Sequence, residues 1–185
     1  RRLGLRANPK ATVYSLPLIA SHVGADVAAD LVAVDMGKTR ETVMLVDVGT
    51  NTEVVVAHQG RLMTASCPAG PAFEGGEIQY GMPGHEGAIE SIRLVNGSFD
   101  YNTIGELPAE GICGSGLIDL LAELRNNDRM TPKGVFADRQ YELSIVPERG
   151  ITFSRQDASN LAQAKAANYC GQFIVLRTMG IGPAD

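Results

Sequence analysis

Leu45-Val46-Asp47-Val48-Gly49-Thr50-Asn51-Thr52-Glu53-Val54-Val55-Val56 is the stretch on which the fold of this 185-residue chain turns. An apolar run ends in Asp47, a polar turn with one glycine follows, and a second apolar run leaves. β-Branched residues crowd both runs, and such side chains suit a half-buried pleated surface. The pattern predicts strands over 41–47 and 53–58. Gln59-Gly60 supplies the next turn and 62–66 a third strand, so three consecutive strands form an antiparallel meander. Gly49 lets backbone approach an anion, and successive amides from Gly49 to Thr52 suit a phosphate nest. Thr50, Asn51 and Thr52 add side-chain donors. Asp47, at the strand end, is placed to hold Mg2+ through water, because that ion keeps much of its hydration shell. The competing reading is an ordinary hairpin whose polar residues only satisfy turn geometry.

Outward from the hairpin, the N-terminal side predicts a polar lead-in over 1–10 and a β-prone run at 13–19 around Pro17. A helix over 22–36 follows, where apolar residues recur at helical spacing. On the C-terminal side, 67–87 is rich in glycine and proline, with a short helix opening at Pro71. Strands at 88–95 and 99–104 flank the Asn96-Gly97 turn. A strong helix runs over 115–126, a loop over 127–140 and a strand over 141–146. The longest helix covers 154–179, with Ser154 as N-cap, Asp157 three residues on, and Gly180 past its end. Hairpins first and long helices afterwards make an α/β fold with a mixed, α+β-like sheet.

Two further segments have the composition of ligand loops. Cys67-Pro68-Ala69-Gly70-Pro71-Ala72-Phe73-Glu74-Gly75-Gly76-Glu77 combines small residues with a helix start, so Gly70, Glu74 and Gly75 are candidates beside a bound phosphate. A compact surface loop around a buried Phe73 is the alternative. Gly111-Ile112-Cys113-Gly114-Ser115-Gly116 precedes a helix and offers the amides of Gly114, Ser115 and Gly116. No Gly-Lys-Ser/Thr follows, so it is not a Walker A loop. Cys113 reads either as a low-pKa thiol at a helix end or as a small residue buried in a tight turn. The three histidines have no metal-ligand spacing, and Lys165 reads as a solvated or interface charge.

A net charge of −5 argues against nucleic acid, which requires a basic face. The three cysteines lie far apart with no CxxC, so neither a zinc ribbon nor an iron–sulfur motif is expected. Free thiols fit a reducing cytoplasm. No apolar run is long enough to predict a membrane span.

The three segments in this order resemble the C-terminal part of the ATP-dependent reductive activators of corrinoid proteins. The stretches that carry the resemblance are LVDVGTNTEVVV, ASCPAGPAFEGGEIQYGMPGHEGAIESI, IGELPAEGICGSGLIDLLAEL and ITFSRQDASNLAQAKAA, with PLIASHVGADVAADLVA similar to the family's lead-in. The resemblance implies an actin-like (ASKHA) ATPase domain of two pseudo-repeated lobes, with ATP and Mg2+ in the cleft between them. On this reading residues 1–185 are a single lobe, and 47–53 are its phosphate hairpin. The opposing lobe's hairpin, the adenosine segment and a 2Fe-2S ferredoxin-type domain are expected elsewhere in a longer protein. The implied role is to reduce an inactive Co(II) corrinoid to Co(I), with a corrinoid protein or methyltransferase component as partner and a homodimer possible. Thr52 departs from the family pattern, where glycine is more usual, and so does the Cys67-Pro68 pair. The alternatives are one lobe of a small-molecule kinase of the same superfamily, or a non-catalytic structural or dimerisation module.

Overall fold

The computed structural model describes residues 8 and 10–182. Strands β1 (Val43–Val48), β2 (Thr52–His58) and β3 (Arg61–Cys67) form the expected antiparallel meander in the order β1-β2-β3. Its register is set at the first turn, where Val48 faces Thr52 and Asp47 faces Glu53. Side chains alternate across a strand, so β2 buries residues on both faces. Val55 and Ala57 pack with Val23, Val27 and Met36 around helix α1 (Ala25–Ala33). Val54 and Val56 pack on the opposite side with Val175 and Met179 of helix α3 (Arg155–Met179). Burying each of these valine and methionine side chains contributes about 1.5–3 kcal/mol.

The larger core belongs to the middle of the chain. Strands β4 (Ala88–Val95) and β5 (Ser98–Thr103) pair antiparallel, and the two-residue strand β6 (Gly111–Ile112) adds parallel to β4. Helix α2 (Gly114–Asn126) lays Leu117, Leu120 and Leu124 against Ile89 and Ile92. Beyond Ile89 the outer edge of β4 has no strand partner among the described residues, and α2 satisfies it with side chains. Asp119 accepts from the Ile92 amide at 3.2 Å and Glu123 from the Leu94 amide at 2.9 Å. Carboxylates on an edge also discourage further strand pairing. Strands β7 (Glu142–Val146) and β8 (Ile151–Ser154) form a hairpin whose Phe153 meets Phe136, with ring centroids 6.1 Å apart.

Helix α3 serves both cores. Its first half places Ala158, Leu161 and Ala164 in the central core, and its second half covers the meander. It begins in a capping box. The Asp157 amide donates to Ser154 Oγ at 3.1 Å, and the Ser154 amide donates back to Asp157 Oδ2 at 2.8 Å. Gly180, in left-handed conformation, closes the other end.

Two sequence expectations need correction. The run at 13–19 is not a strand. Pro17 lacks a donor, no strand among the described residues pairs with the segment, and Val13, Tyr14, Leu16 and Leu18 are exposed. The helix expected over 22–36 is shorter, because left-handed Asp35 breaks it and Met36–Lys38 forms a separate 3-10 turn. The short strands β6 and β8 were not anticipated. The polar lead-in lies largely outside the described residues.

Candidate phosphate-binding site

The turn between β1 and β2 is tight. The Gly49 amide donates to the Asn51 carbonyl at 3.1 Å, which removes it from any anion nest. The Thr50 and Asn51 amides remain without an acceptor among the described residues. Thr50 ties the turn to the second glycine-rich loop. Its carbonyl accepts from the Gly70 amide at 2.9 Å, and its hydroxyl donates to the Glu74 carboxylate in a short hydrogen bond. Glu74 also lies over Gly49, where a Cβ would be 3.8 Å from its Oε1.

Pro71–Glu74 is a single 3-10 turn. It provides local geometry but not the dipole of a full helix. Gly70 and Gly75 flank it at φ of 79° and 86°. The same loop touches α2, since a Cβ on Gly114 would stand 2.1 Å from the Phe73 carbonyl oxygen. The first turn of α2 has no side-chain cap, and the amides of Gly114, Ser115 and Gly116 find no acceptor among the described residues. Loop 70–75 is therefore the common neighbour of the hairpin turn and the α2 N-terminus. It joins all three segments singled out in the sequence.

One expected donor is placed differently from simple exposure. Thr52 is fully buried on the α3 side of the meander, and its hydroxyl has no hydrogen-bond partner among the described residues. Leaving such a group unpaired costs about 1–3 kcal/mol. Cys113 is buried as the residue before α2, its thiol donating to the Ile89 carbonyl at 3.3 Å. That is the structural alternative for this residue. Cys67 is also buried, opposite Thr52 and against Gly171, and burial, then Glu53 and Cys170, raise its thiol pKa.

Sequence reasoning did not reveal the charge surrounding Asp47. Its pKa is raised by burial first, then by Asp30 and Asp26 of α1. Glu53, directly across the hairpin, is buried and accepts from the Ser66 hydroxyl at 2.9 Å. The hairpin register could have indicated the Asp47–Glu53 pairing. The approach of α1 depends on tertiary packing. Among the described residues no three His, Cys, Asp or Glu side chains close on one metal position. The excess negative charge around Asp47 is nevertheless the kind that a hydrated divalent cation offsets.

A raised carboxylate pKa means the folded state binds the proton more tightly than the unfolded state does. Asp47's contribution to stability is then fully present below its ordinary pKa and is lost as pH rises through the raised value. In chelator-treated protein, Asp47→Asn is expected to raise the melting temperature at pH 7 relative to the parent, with the gain shrinking towards pH 4. An equal effect at both pH values contradicts this.

Comparison with known proteins follows the same segments. A family model described as the C-terminal domain of RACo, the ASKHA domain, matches residues 41–185. The chain belongs to the RACo family. A model of the RACo middle region matches residues 1–39, the part that contributes α1 to the meander's core. The corrinoid activation enzyme RamQ of Eubacterium limosum is 32% identical over 205 residues, covering 98% of this chain and 34% of RamQ. A Co(II) methylated amine-specific corrinoid protein reductase of Methanosarcina barkeri is 38% identical over 77 residues, covering 42% of this chain and 14% of its own. A solved structure titled reductive activator for corrinoid, iron-sulfur protein superposes with a TM-score of 0.84 at 32% identity, covering 96% of this chain and 31% of that one. The chain thus spans about a third of the length of RamQ and of that solved chain. The ASKHA fold of the RACo family is the fold seen here. No described helix is long and apolar enough to cross a membrane.

Proposed function

We propose that this chain supplies one wall of an ATP and Mg2+ site in a cytoplasmic protein that uses nucleotide to drive reduction of an inactive Co(II) corrinoid. The observation that supports this most directly is the contact of loop 70–75 with both the hairpin turn and the open N-terminus of α2. Free amides at Thr50, Asn51 and Gly114–Gly116 offer hydrogen bonds to phosphate oxygens without a net positive charge. Glu74 accepts from the Thr50 hydroxyl, so an arriving phosphate would compete with that carboxylate for the donor. Asp47 would hold Mg2+ through its hydration shell, and the ion would supply charge neutralisation for the phosphates. The RACo-family relatives named as corrinoid activators support a corrinoid-carrying methyl-transfer protein as the partner. Residues 1–185 act as one lobe, and the electrons come from an iron–sulfur domain elsewhere in the longer protein. Nucleotide binding biases the partner-competent arrangement only through a difference in affinity between the two states.

The test is calorimetric titration of MgATP into the full-length protein carrying Asp47→Ala with Thr50→Ala. Heat of binding should disappear, while the melting temperature of the variant reports that it is folded. Unchanged affinity would return the hairpin to a purely structural role. The isolated 185 residues should bind ATP no tighter than the millimolar range, and micromolar affinity would contradict the one-wall reading.

A further inference from the structure

We propose that the outward row of α3 is a docking surface for an acidic, amphipathic helix of a protein partner. Lys165, Tyr169, Phe173 and Arg177 follow one another at four-residue intervals. Residues so spaced share one helix face, and this row runs for about 18 Å. Rows of that spacing are the ridges by which helices interlock with other helices. The two aromatic rings at its centre stack at 6.4 Å with an interplanar angle of 21°. Both are open to solvent, Tyr169 at 65% and Phe173 at 49% exposure. Two hollows of about 510 and 520 Å³ adjoin the row and meet at Tyr169.

Charge identifies the occupant. Arg125, Lys133 and Lys165 line the first hollow and Arg177 the second, and among the described residues no aspartate or glutamate lines either. This concentration of cations is local, in a chain whose net charge is −5. Among the described residues, Lys133, Lys165 and Arg177 make no ion pair. The Arg125 guanidinium donates to the Met130 carbonyl, which holds it at the base of the turn bearing Lys133. The turn is itself fixed by the Thr131 amide donating to Val135 at 2.8 Å and the Gly134 amide donating to Thr131 at 3.0 Å. A stacked aromatic pair with cations at both ends has the composition of an interface hot spot with a charged rim. A helix with apolar residues on one face and glutamates flanking them complements it. This inference is independent of the nucleotide reading.

The test uses the full-length protein and a fluorescein-labelled 18-residue synthetic helix with leucine on one face and glutamate elsewhere. A twin peptide carries lysine in place of glutamate. Anisotropy should report binding of the acidic peptide that weakens with added salt, and little binding of its twin. Lys165→Glu with Arg177→Glu should weaken it by about tenfold or more, and so should Tyr169→Ala with Phe173→Ala. All four side chains lie on the solvent side, so circular dichroism should show folded variants. Equal binding of the two peptides, or binding indifferent to both pairs of substitutions, overturns the proposal. Phe173→Cys, made in a Cys170→Ser background, should react with maleimide in the folded protein. Protection from the reagent would mean that the protein's own chain or a second copy covers the row, and that outcome also overturns it.

Discussion

Gly75→Ala is expected to destabilise the protein by about 3 kcal/mol or more, lowering the melting temperature by roughly 6–12 °C. Two costs combine. Gly75 has φ of +86°, a conformation that carries a penalty of about 1–2 kcal/mol for a residue with a Cβ. The added Cβ would also lie 2.4 Å from the Met82 amide nitrogen and 2.8 Å from the Gly81 carbonyl carbon. Both are backbone atoms, so no rotamer change relieves the overlap. Gly81 is the reciprocal case, with its own Cβ position 2.2 Å from the Gly75 carbonyl oxygen. The crossing lies immediately after Glu74, so displacement should also release Glu74 from Thr50. Thermal melts of the variant and parent settle the first point, and a shift of less than 2 °C would contradict it.

Asp157→Ala should cost about 3 kcal/mol, read as a lower urea midpoint with an unchanged slope. Asp157 is only 3% exposed and accepts three hydrogen bonds. These come from the Ser154 amide at 2.8 Å, the Ser154 hydroxyl at 2.7 Å and the distant Gln79 amide at 2.9 Å. Capping alone accounts for about 1 kcal/mol of such a loss. The remainder is the penalty for orphaning buried donors, the Gln79 amide among them. Loss of the cap alone would leave hydrogen exchange at Gln79 unchanged, whereas the structure predicts that it quickens. A destabilisation below about 1 kcal/mol would mean that solvent replaces the carboxylate.

Much of this site was legible in the chain because its signals are local. The hairpin around Gly49 followed from β-branched runs broken by one polar turn. The Ser154 cap and the Gly180 stop bounded α3 within a residue. What could not be read depends on neighbours distant in sequence. The two residues of β6 form a strand only because β4 lies beside them, and β8 exists through its pairing with β7. Thr52 reads as an open hydroxyl in a polar turn, yet strand alternation and the approach of α3 bury it. The Gly49 amide reads as free until the turn closes on Asn51. The Glu74–Thr50 contact spans 24 residues, and neither residue alone announces it. Composition brought the right segments into view, while packing determined which of their atoms stay available.

The dual membership of α3 has a thermodynamic consequence. Its 25 residues form a rod about 37 Å long, whose first half is held by the central core and whose second half roofs the meander. Neither core can melt alone without fraying that rod at its middle, near Gly171. There the helix lies so close to Cys67 that a Cβ would overlap its sulfur. The two cores are therefore one cooperative unit. Amides around Val54 and around Leu120 should exchange with the same opening free energy.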